Sequence, residues 1–199
     1  MKSDFCHFIF FKVFCHTADE VISKAQVDLK KWLDSTVSSQ IINSTERTRS
    51  ENIRSHWSPP LSGWVKCNYD AAHREGSQDS GMGWLICNNQ GTFLEAGMEK
   101  FEGRSIVMES ELSALIWSMQ ACSSLSYRKV IFKGDNLGIL KYIKEEAYSS
   151  RCQHLVNSVI AWKSRFLSTS FVHVHRQNNG SADLLAKKSI ISPTDWSLF

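Results

Sequence analysis

The stretch "GWVKCNYDAA", residues 63–72, decides how the chain is read. Trp64 to Tyr69 is a short strand-like run, and it closes on Asp70 followed by two small residues, Ala71 and Ala72. Acidic residues are depleted in strands. Asp70 is therefore either the opening residue of a turn or a carboxylate held at a strand end for chemistry. A second stretch repeats the pattern: "KVIFKGD", residues 129–135, is another strand-like run closed by an acid, Asp135.

Working outward, "GMGWLICNN" (81–89) and "TFLEAGMEK" (92–100) read as two strands joined at the turn-forming "NNQG", a hairpin signature. Residues 106–124 change to helical period, with Met108, Leu112, Leu115, Met119 and Cys122 on one face. "LGILKYIKEE" (137–146) and residues 151–167 are two further predicted helices, the second aligning Leu155, Val159, Trp162 and Phe166. "TSFVHVHR" (169–176) is a fifth strand, and "SADLLAKKSI" (181–190) a final helix with Ser181 as its expected N-cap. The predicted order is β-β-β-α-β-α-α-β-α, an α/β (mixed α+β) fold with a five-stranded mixed sheet flanked by helices.

This domain is expected over residues 61–192. Residues 1–33 combine an apolar stretch with an amphipathic helix over 17–33, where Thr17 and Glu20 have capping-box spacing. Residues 34–60, polar and closed by Pro59 and Pro60, are expected to be a linker, and 193–199 a short tail.

Composition narrows the function classes. The 199 residues are 42% hydrophobic, which suits a packed core, and the net charge of +3 is mildly basic without the concentrated patch of a dedicated nucleic-acid binder. The six cysteines form no C-x-x-C pair, so neither a zinc ribbon nor a thioredoxin-type centre is indicated, and they read as reduced core residues of an intracellular protein. The most apolar run, "FCHFIFFKVFC" (5–15), is too short to span a membrane and is broken by His7 and Lys12. It fits a secretory signal poorly. Nucleus and cytoplasm are both left open.

Four carboxylates stand in distinctive places. Asp70 and Asp135 close strands, Glu111 lies in the first turns of the long helix, and Asp183 lies in the first turn of the last. Singly, each has a structural explanation as a turn former or a dipole partner. Jointly, they would repel one another severely unless a cation lay among them. Mg²⁺ is typically held by a few carboxylates together with substrate phosphate. Two such ions about 4 Å apart can stabilise the attacking and leaving oxygens of an in-line displacement at phosphorus.

The same residues carry a resemblance. "GWVKCNYDAA", "ESELSAL" (109–115), "KVIFKGDN" (129–136) and "FVHVHRQNNGSADLLAK" (171–187) together resemble the ribonuclease H domain in the form found in plant non-LTR retroelements and their domesticated relatives, over roughly Trp57 to Ile190. The resemblance implies a ribonuclease H-like fold and hydrolysis of RNA in an RNA–DNA hybrid with Mg²⁺ or Mn²⁺, two ions with substrate bound. It places the family's four metal-binding acids on Asp70, Glu111, Asp135 and Asp183, with Glu109 as a nearby competitor assigned to the surroundings. It places the family's histidine on His173, and its usual Arg and Asn on Arg176 and Asn179. By position, the backbone of Ala71 and Ala72 and the side chains of Asn136 and Asn179 are expected to face the nucleic acid, which must be read through the RNA 2′-hydroxyl.

Two departures matter. The family usually has Gly where this chain has Ala71, and no basic extra helix precedes the last strand. Related folds fit less well: proofreading-type exonucleases carry Asp-x-Glu on the first strand, and DDE integrases end on Glu in the final helix, where this chain has Asp183. Two functions stand at this point: a hydrolase acting as an RNA–DNA hybrid endonuclease, and a catalytically weak or inactive remnant of a retroelement that binds nucleic acid or protein.

Overall fold

A computed structural model describes residues 59–73, 79–102, 106–145 and 151–199. The apolar stretch and helix expected within 1–33, and residues 34–58 of the expected linker, lie outside them. The described elements follow the expected order with one addition. They are β1 (Val65–His73), β2 (Asp79–Cys87), β3 (Phe93–Glu102), α1 (Val107–Ser124), β4 (Lys129–Gly134), α2 (Leu137–Glu145), α3 (Gln153–Lys163), β5 (Ser168–His173), α4 (Gly180–Ile191) and β6 (Trp196–Leu198). A single 3-10 turn, Arg176–Asn178, links β5 to α4.

The strands form one mixed sheet in the order β5-β4-β1-β2-β3-β6. β1, β2 and β3 run antiparallel in sequence, while β4 lies parallel to β1, and β5 parallel to β4. The sheet has six strands rather than the five expected. The sixth comes from residues read as a tail: Trp196, Ser197 and Leu198 pair with Glu99, Met98 and Gly97 of β3. Three residues are too few to show a strand period. What recruits them is the unpaired edge of β3, where Phe199 and Ala96 exchange two backbone hydrogen bonds of 2.9 and 3.0 Å. The Phe199 ring also packs on Ala96, Met98 and Leu185.

The alternation along β1 divides the interior. Val65, Cys67 and Tyr69 enter the main core with Leu112, Leu115, Met119 and Cys122 of α1, Val156 and Val159 of α3, and Trp84, Val130 and Phe132 of the neighbouring strands. The opposite face of the sheet is covered by α4, whose Leu185 joins the smaller core on β3. Gly83 makes that docking possible, because a Cβ there would stand 2.5 Å from the backbone nitrogen of Ala186. Strand and helix backbones thus meet without a side chain between them.

Candidate metal centre

The parallel register of β1 and β4 brings the two strand-end acids together. Its last aligned pair is Asn68 with Lys133. Two residues further on lie Asp70, still in β1, and Asp135, just past the end of β4, so the register brings the two acids side by side. Gly134 shapes the end of β4, since a Cβ there would strike the ring of the buried Tyr69 at 2.6 Å. Glu111 arrives from the first turns of α1, buried like Asp70. One carboxylate oxygen from each of Asp70, Glu111 and Asp135 lies within 4.8 Å of the other two.

The electrostatics of this triad are unfavourable as they stand. Burial, then the charges of Asp135 and Asp183, push the Asp70 carboxyl up to about 8. Burial, then Asp70 and Asp135, push Glu111 up to about 9. Glu111 Oε2 is buried without a hydrogen-bond partner. A carboxylate oxygen left unpaired inside a protein is costly, and three converging oxygens from hard ligands are the donor set that a divalent cation takes. The residues therefore fit such an ion.

Asp183 is placed differently. It lines the same cavity, of about 430 Å³, with Asp70, Glu111 and Asp135. It is not one of the three converging ligands. Its two oxygens meet cations instead, Arg176 at 3.4 Å and Lys187, one helical turn on, at 2.6 Å. Both cations line the cavity, as do Ala71, Ala72 and His73.

The remaining expected residues fall as follows. Glu109 is buried and ion-paired to Arg151 at 2.8 Å, outside the triad. His173 closes β5, with its Nε2 3.1 Å from the backbone carbonyl of Asp135. Asn136 accepts from the backbone N–H of Gly138 at 3.0 Å, so its side chain caps the start of α2. Asn179 is only 1% exposed, and its amide is engaged at both ends within the fold rather than turned to a ligand. It also takes the N-cap position expected of Ser181, which lies inside α4. Between α2 and β5 the described residues hold α3 alone, and no basic extra helix. His73 is a cavity-lining polar group that the sequence reading left out of the site.

Residues 68–189 match the model of the reverse transcriptase-like family. The chain belongs to that family. A search of curated proteins finds no match. Among solved structures, ribonuclease H1 of the halophilic archaeon Halobacterium salinarum is similar at 22% identity and TM-score 0.61, over 65% of this chain and 98% of that one. The N-terminal RNase H domain of a Mycobacterium tuberculosis protein is 19% identical at TM-score 0.59, over 64% and 94%. LC11-RNase H1, crystallised with an RNA/DNA hybrid, is 18% identical at TM-score 0.59, over 64% and 96%. The fold is ribonuclease H-like, and it carries an acidic cluster where β1, β4 and α1 meet. None of the described helices is long and apolar enough to cross a membrane.

Proposed function

We propose that this domain is a metal-dependent endoribonuclease that hydrolyses the RNA strand of RNA–DNA hybrids. The observation that carries the reading is the triad of Asp70, Glu111 and Asp135, three converging carboxylates that form no ion pair among the described residues, whereas Asp183 is paired with Arg176 and Lys187. These three side chains would hold Mg²⁺ or Mn²⁺. With Asp183 beside them, the donor set suffices for two ions once substrate phosphate is bound. A cation held there supplies stabilisation of negative charge at phosphorus and a more acidic bound water.

The chain's own groups supply the rest. Arg176 and Lys187 present N–H donors to phosphate oxygens from the cavity wall. Ala71 and Ala72 line the cavity beside Asp70, and in this reading their backbone would face the RNA strand, whose 2′-hydroxyl must be read. His173, bonded to the Asp135 carbonyl, steadies that acid and offers an imidazole for proton transfer.

The test is direct. Purified protein with Mg²⁺ should cut the RNA strand of a hybrid internally and leave double-stranded DNA intact, and Asp70→Asn should not cut. A wild-type chain that binds the hybrid but never cleaves it is instead a binding module.

A further inference from the structure

The mechanism leaves one buried polar cluster unused, and it lies between two of the acids. Asn179 Nδ2 donates to the backbone carbonyl of Tyr69 at 2.9 Å, the residue before Asp70. Asn179 Oδ1 accepts from Asn68 Nδ2, also at 2.9 Å. The backbone carbonyl of Asn179 accepts from the N–H of Asp183 at 3.1 Å. One residue is thus bonded to the neighbour of Asp70 through its side chain and to Asp183 through its main chain.

These bonds also orient the amide, because exchanging its O and N would set donor against donor at Asn68 and acceptor against acceptor at Tyr69. The amide is inside the protein, where such bonds are strong and their loss is costly. The body of α4 does not depend on them. Ala182, Leu185 and Ala186 are buried, and the helix backbone rests on Gly83 of β2. What the clasp adds is the placement of the first turn of α4, the turn that bears Asp183.

We infer that Asn68 and Asn179 are positioning residues that set Asp183 against the Asp70–Glu111–Asp135 triad and so complete the divalent-cation site. This rests on the nuclease reading above. Neither asparagine needs to touch the cation or the nucleic acid.

The test is a calorimetric titration of the full-length chain with MnCl₂, in a two-by-two set of wild type, N179A, D183N and the double variant. N179A should weaken Mn²⁺ binding about tenfold, the scale of a lost outer-shell partner at a metal site. In the D183N background the same change should make no further difference, because the clasp acts only through Asp183. Asn68→Ala, which removes one of the two side-chain bonds, should give a smaller loss of the same kind and covers the case in which N179A does not fold. Equal weakening by N179A with and without Asp183 would overturn the inference, as a general structural role. So would wild-type affinity in both N179A and N68A. Absence of Mn²⁺ binding by the wild-type chain would overturn the nuclease reading, and the inference with it.

Discussion

The two halves of one cavity treat negative charge in opposite ways. On the side of β1, β4 and α1, Asp70, Glu111 and Asp135 converge, and burial with mutual repulsion raises the first two to about 8 and about 9. On the α4 side, Asp183 meets Arg176 and Lys187. The contrast distinguishes a carboxylate that the fold has already neutralised from carboxylates that await a cation from outside. Exposed pairs such as Lys187–Asp183 contribute little stability. They do make Asp183 a less demanding ligand than the triad, and the two halves should respond differently to every perturbation.

The largest expected effect breaks the triad. Asp70→Asn should abolish metal-dependent cleavage and yet raise the melting temperature of the metal-free protein, because it removes the cost of keeping protonated a buried carboxyl that ionises once unfolded, while the shape is kept. Glu111→Gln should behave likewise. Cleavage assays and thermal unfolding with a chelator check both. Next comes Asp183→Asn, expected to slow cleavage by about 10- to 100-fold without stabilising the metal-free chain, since it strands two cations. A stabilisation equal to that of Asp70→Asn would erase the distinction between the halves.

The pH dependence sharpens the same contrast. Asp70 and Glu111 hold protons in the folded chain that they release near their ordinary values, 3.8 and 4.5, once unfolded. The folded state then binds more protons across that window, so stability falls as pH rises. Metal-free protein should lose melting temperature steadily from about pH 5 to pH 8, and saturating Mg²⁺ should flatten the slope. The smallest effect belongs to His173→Ala, which removes one hydrogen bond to the Asp135 backbone. It should cost about 1 kcal/mol in denaturant unfolding and slow cleavage less than Asp183→Asn does.

Much of this site was legible in the chain itself. Asp70 and Asp135 each end an apolar run, and a strand pattern closed by an acid is visible without coordinates. Glu111 is visible beside Leu112 on a helical face. What the pattern does not contain is the partner across space. Within "NNGSAD" it is Asn179 that takes the N-cap position, without a side-chain capping bond, because its amide is bound to the Tyr69 carbonyl and the Asn68 amide, more than a hundred residues earlier. Glu109 and Glu111, two residues apart on α1, face different ways: Glu109 pairs with Arg151, and Glu111 joins the triad. The edge strand β6 is set by the open side of β3 and by Phe199, not by any period of its own.

The central claim is that the triad is a divalent-cation site, and thermal unfolding against Mg²⁺ concentration at pH 8 tests it most directly. Wild type should gain melting temperature with added Mg²⁺, following the linkage of a ligand bound only by the folded state, while Asp70→Asn should start higher and gain nothing. Equal gains in both proteins, or none in the wild type, would contradict it.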